Sequence, residues 1–216
     1  MDMEKFRIVT ISRLIGSGGG YVGYLAAKEL GFRYIDREIL REAAKKLGTD
    51  VRQLEEIDGR ASSLLRSIVR SFGMGAPEAI SQPPPTLPVY ERDLFDLQSR
   101  IMREMADQYD AVVIGRGAFH VLKGRTGAIH VFVHAPEEFR VKRVMKVQNI
   151  TDFNKARILV RESDQRRKKF VRDMTGSDWA DARNYHLCVD SSTVGLLACV
   201  EMIVKLAGAL KPRQAV

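Results

Sequence analysis

Cysteine is scarce in this chain: Cys188 and Cys199 are the only two in 216 residues. They form neither a disulfide framework nor the paired spacing of a thiolate metal site. Both fall in apolar runs, strand-like at 188 and helical at 199, where a thiol is expected to act as a small buried hydrophobe. No apolar run approaches the ~20 residues that span a bilayer. The opening Met1-Asp2-Met3-Glu4-Lys5 lacks the apolar core of a signal peptide. A secreted disulfide scaffold and a helical membrane protein are thereby excluded, and a cytoplasmic location is expected. Aromatic residues are few, at 7%, with one tryptophan, and none interleaves with a basic cluster. That speaks against a specific nucleic-acid surface. Proline is absent from most of the chain but crowds at 77, 83, 84, 85 and 88. Regular helix is not expected there, so 73–88 reads as a flexible insertion.

Acidic residues are outnumbered, 27 Asp and Glu against 35 Lys and Arg, giving a formal charge of +8. The excess points to an anionic partner: nucleic acid, a membrane surface or a nucleotide. A hydrophobic share of 45% suits one globular domain over residues 1–216. Short β-branched runs alternate with helical patterns along it. Phe6–Ile11, Phe32–Ile35, Ala111–Ile114, Ile129–Val133 and Tyr185–Asp190 read as strands. Helices are expected at about 21–30, 39–47, 94–108, 137–147, 152–172 and 194–210. The expectation is an α/β fold: a mostly parallel sheet of about five strands with helices on both faces.

The chemistry is concentrated after the first strand, where Gly16, Gly18, Gly19 and Gly20 surround Ser17. Four glycines in five positions exceed what a tight turn needs. A loop between a buried strand and a helix N-terminus presents bare amides and the positive end of the helix dipole. Glycine lets that backbone close around phosphate oxygens. A flexible turn without a ligand is the plain alternative. The usual Gly-Lys-Ser/Thr ending of a phosphate loop is missing, with Gly19-Gly20-Tyr21 in its place. A substitute cation is needed, and Arg13 and the later arginines are the candidates.

Several segments together resemble the cytidylate kinase-like family of P-loop nucleoside-monophosphate kinases. They are Thr10–Arg13 with Gly16–Gly19, Tyr34–Leu40, Val113–Gly117, Ala135–Arg143, Glu162–Arg167 and Gly176–Trp179. The resemblance implies a P-loop NTPase-type sheet with a helical lid at about 148–180. It also implies ATP and Mg²⁺ as cofactors, and nucleotides as small-molecule partners. Arg13, Gly16, Ser17, Gly18, Gly19, Gly20 and Tyr21 would hold the donor phosphates. Asp36, Arg37, Arg41 and Arg116 would face the acceptor, and Arg161, Asp164, Arg166 and Arg167 would close over the transferring group. The family often carries an arginine near the position of Gly20, which this chain lacks.

Each candidate has a plainer reading. Arg157, Arg161, Asp164 and Lys168 share one helix face, with Arg167 in reach of Asp164, but charge runs are commonly solvated faces laced with ion pairs. Asp36 suits a helix N-cap. Arg116, between glycines at the carboxyl end of a buried strand, lies where α/β sheets bind ligands, or it ties down a neighbouring loop. His130 and His134 have no third partner at metal-site spacing, and no metal-binding residues are assigned. Trp179, Tyr185 and Phe170 are expected in packing. Three functions follow from these readings: phosphoryl transfer from ATP to a nucleoside monophosphate such as CMP or dCMP, a catalytically weak nucleotide-binding or regulatory protein, and, third, a nucleic-acid-binding protein.

Overall fold

The computed structural model describes residues 6–36 and 88–210. Arg37, Arg41 and the proline-rich insertion as far as 87 lie outside the described residues. The strands are Ile8–Arg13 (β1), Arg33–Ile35 (β2), Ala111–Ile114 (β3), Ala128–His134 (β4) and Leu187–Asp190 (β5). The helices are Gly19–Leu30 (α1), Pro88–Ala106 (α2), Ala118–Val121 (α3), Glu137–Gln148 (α4), Phe153–Thr175 (α5), Ser191–Val194 (α6) and Leu196–Gly208 (α7).

The strands form one sheet in the order β2-β3-β1-β4-β5, every pairing parallel. Parallel strands are covered on both faces, which is why β1 and β3 are buried along their whole length. Alternation divides the core. Val9, Ile11, Val112, Ile114, Val131 and Val133 pack with residues of α1 and α7 such as Val22, Ala26, Val200 and Ile203. Ile8, Ile35 and Val113 face the other way, onto Phe95, Ile101, Met102 and Met105 of α2. Each fully buried Ile or Val contributes about 1.5–3 kcal/mol. A separate cluster, in which Phe119, Phe132, Val171 and Trp179 meet, seats α5 against the sheet.

Several expected boundaries move for local reasons. Pro88 opens α2 rather than closing the insertion, since the first helical turn has no use for its missing N–H. Helix α1 starts at Gly19, so Gly19 and Gly20 belong to its first turn. The expected last helix is broken at Gly195, with α6 before it and α7 after it. Asp152 caps α5, accepting from the amides of Asn154 and Lys155. Cys188 departs from expectation: it is exposed, because edge strand β5 turns Val189 inward and its neighbour outward. Cys199 is buried as expected.

His130 is a core histidine. Its residue is 4% exposed, its Nδ1 lies 2.8 Å from Thr10 Oγ1, and its backbone amide donates to His186 Nδ1. Burial first, then the charges of His186 and Lys123, push its pKa from 6.5 down to about 4. The fold therefore favours the neutral ring. Its contribution to stability is complete above pH 6.5 and is lost as pH falls toward 4, a change of about 3 kcal/mol. Urea denaturation between pH 7 and pH 4 should show that loss in the wild type and a shallower one in His130→Gln. Equal pH slopes in the two proteins would contradict it.

Candidate functional site

β1 ends at Arg13 on the carboxyl edge of the sheet, and Leu14–Gly18 carries the chain into α1. Gly16 and Gly18 have φ of 78° and 82°, a left-handed backbone that side chains resist. Space closes the argument. A Cβ at Gly16 would lie 2.5 Å from the carbonyl oxygen of Arg140, and one at Gly18 would lie 2.6 Å from Leu196 Cδ2. The first bond of α1 runs from the Val22 amide to the Gly18 carbonyl. The amides of Gly19, Gly20 and Tyr21 thus have no acceptor within the helix and point out of its positive end. Tyr21 is 45% exposed beside them.

Ser17 is turned inward. Its residue is fully buried, and its hydroxyl is shared between the carbonyls of Leu14 (2.8 Å) and Val133 (3.1 Å). Ser191, just after β5, reaches back to the carbonyls of Ser17 (2.7 Å) and His134 (3.1 Å). Two hydroxyls therefore set the loop's shape.

From the other side the loop is held by charge. Asp164 of α5 accepts from the Ile15 amide at 3.0 Å and from Arg140 Nη1 at 2.6 Å. Arg140 also donates to the carbonyls of Ile15 (3.1 Å) and Ala135 (2.9 Å). Arg167 Nη1 stands 3.9 Å from the same carboxylate. Asp164 thus has Arg140 as its main partner; of the guanidiniums its spacing suggested, Arg167 comes near it and Arg161 pairs with Glu137 instead. Sequence reasoning gave Arg140 no role. The signal was there: Arg140 and Arg143 are three apart on α4, so both face the loop.

Arg143 is the other residue missed. Its Cζ is 3.5 Å from the Cβ that Gly18 would carry, and it makes no ion pair among the described residues. Arg13 is 8% exposed beneath the loop; it packs against Gly19, and its guanidinium reaches Gly115. Arg116 keeps a φ of 53° between the left-handed Gly115 and Gly117, a costly arrangement for a side-chain-bearing residue. Its Cζ lies 4.8 Å from the Phe170 ring centroid of α5. Asp36 is buried at the end of β2. Arg161 is paired bidentately with Glu137 at the exposed start of α4, which holds the Glu137 carboxyl below its ordinary range. Arg166 lies on the exposed face of α5, 3.4 Å from Glu162. The structure brings together the glycine loop, Arg13, Asp164 and Arg167, while Arg116 packs over Phe170. Arg161 and Arg166 stand outside that cluster.

A sequence-family match covers most of the chain, this loop and sheet included: the cytidylate kinase-like family matches residues 8–193. The chain belongs to that family. Among solved structures it is similar to an uncharacterized protein from Eubacterium ventriosum ATCC 27560, with 21% identity, a TM-score of 0.70, and coverage of 94% of this chain and 99% of that one. It is also similar to TT1252 from Thermus thermophilus, with 19% identity, a TM-score of 0.52, and coverage of 94% and 97%. These similarities show a shared fold. No curated protein matches the sequence.

Membership in a kinase-like family implies a nucleotide and Mg²⁺. The residues present suit nucleotide phosphates: three amides with no acceptor in the helix, beside the Arg143 guanidinium, which makes no ion pair among the described residues. A protein cage for the metal does not fit. Among the described residues no three His, Cys, Asp or Glu side chains gather to hold an ion, and the Ser17 hydroxyl is engaged with carbonyls. Also among the described residues, no helix is long and apolar enough to cross a membrane.

Proposed function

We propose that the protein transfers the γ-phosphoryl group of ATP to a nucleoside monophosphate, with CMP or dCMP as the acceptor that family membership suggests. One oxygen of the acceptor phosphate bonds to the γ-phosphorus, the bond from that phosphorus to the bridging oxygen breaks, and ADP leaves. Little covalent help is needed for such a transfer; positioning and charge neutralisation dominate. The observation that carries the reading is the outward amide cradle of Gly19, Gly20 and Tyr21 with the Arg143 guanidinium over Gly18. The amides hold the donor phosphates. Arg143 supplies the charge that lysine supplies in an ordinary phosphate loop, and Arg13 adds positive field from below. Arg116 and Asp36 face the acceptor, together with Arg37 and Arg41. Asp164 is a positioning residue: it fixes the loop and orients Arg140 and Arg167. Arg161 and Arg166 join only if α5 and α4 shift on closure. Mg²⁺, when bound, would neutralise phosphate charge; among the described residues no cluster of three His, Cys, Asp or Glu side chains gathers to hold it.

A second reading, a nucleotide-binding protein with weak catalysis, is favoured by the missing lysine and by the inward Ser17 hydroxyl. A coupled assay for nucleoside diphosphate across CMP, dCMP, UMP, AMP and GMP, run beside calorimetry with ATP, separates the two. Turnover with a pyrimidine monophosphate is expected. Binding of ATP without turnover would establish the second reading, and no binding of any nucleotide would remove both.

A further inference from the structure

A cleft of about 300 Å³ lies between α2, α3 and the end of α5, away from the glycine loop. Phe95, Val121 and Met174 supply its apolar lining. Ser99 enters it from α2. That residue is 4% exposed, and its hydroxyl makes no hydrogen bond among the described residues. A buried hydroxyl left unpaired is costly and calls for a partner that the described residues do not provide.

Charge around the opening has one prevailing sign. Arg100 and Arg103 line it from α2, at one and four residues beyond Ser99, and neither makes an ion pair among the described residues. Asp96 is the one acidic residue in the lining. His120 closes the side made by α3, with Nδ1 2.9 Å from Ser177 Oγ. Burial, then Lys123 and Arg103, hold its pKa below 6.5, as a positive surrounding field demands. The volume suits a small molecule rather than a peptide or nucleic acid.

We propose that this cleft binds a compact organic anion, a carboxylate or phosphate group carried on a body about one ring in size. Arg100, Arg103 and the Ser99 hydroxyl take the oxyanion, and Phe95, Val121 and Met174 take the apolar body. The site is independent of the kinase reading, but its lining touches that machinery. Phe95 packs edge-on against Phe170 at 5.9 Å, the ring over which Arg116 sits, and lies 3.4 Å from the Cβ position of Gly117.

The Met174 methyl group is a local reporter. In the full chain labelled with ¹³C-methyl methionine, and assigned through Met174→Leu, phenyl phosphate and benzoate are titrated separately. A saturable shift of the Met174 methyl is expected, and the tighter probe identifies the preferred oxyanion. Arg100→Glu/Arg103→Glu, at exposed positions, should abolish the shift. Ser99→Ala should weaken binding about tenfold, the effect of one charge-assisted hydrogen bond. Arg143→Ala should leave the Met174 response intact, which separates this site from phosphate binding at the glycine loop. No saturable shift with either probe, or a shift that survives the double arginine reversal, would overturn the proposal.

Discussion

Replacing Asp164 with alanine is expected to lower stability by about 3 kcal/mol and to cut kcat/KM about 10²-fold. The first effect follows from burial. Arg140 and Asp164 side chains are 8% and 16% exposed, and removing one partner of such a pair leaves an uncompensated charge inside the protein. The second follows from position. Asp164 holds the Ile15 amide while Arg140 holds the Ile15 carbonyl, so the peptide leading into Gly16 is clamped on both sides. A displacement of about 1 Å in that peptide is enough to lose two orders of magnitude in rate. Arg140→Met/Asp164→Leu separates the two effects. An apolar pair of similar size should recover most of the stability, as buried ion pairs replaced together often do. It should not recover the rate. Recovery of both by the double variant would show that the carboxylate contributes packing alone.

Arg143→Ala should behave in the opposite way. With no ion pair among the described residues, its loss should change stability by less than about 0.5 kcal/mol. Removing a preorganised donor to developing charge lowers kcat by about 10²–10³-fold. Arg143→Lys should retain part of the rate, since a point charge survives but the fork geometry does not. The informative partner is Gly20→Arg, which places a new cation in the first turn of α1. Placed on Arg143→Ala it should regain activity. Failure to do so, with both proteins folded, would separate Arg143 from the role of the missing cation.

Much of the fold was legible because its signals are local and redundant. Ile8–Ile11, Ala111–Ile114 and Ile129–Val133 are β-branched runs followed by glycines or helical patterns, and each became a buried parallel strand. The glycine loop was legible for the same reason, since its left-handed turns and its close approach to Arg140 and Leu196 require one residue type. Long-range partners were not legible. Asp164 could be seen to reach Arg167 along its own helix, but its main partner Arg140 is 24 residues away on α4, and only the packing of α4 on α5 brings them together. Arg143 was hidden among Arg140, Lys142 and Lys146, where a solvated charge run is the ordinary expectation. Cys188 was misjudged because an apolar run does not reveal that its strand lies at the sheet edge.

A crystal structure with a non-hydrolysable ATP analogue addresses the central claim most directly. Its β- and γ-phosphates should rest on the amides of Gly19, Gly20 and Tyr21, with the Arg143 guanidinium against them. Nucleotide bound elsewhere while that concavity stays empty, or Arg143 turned away from bound phosphates, would contradict it.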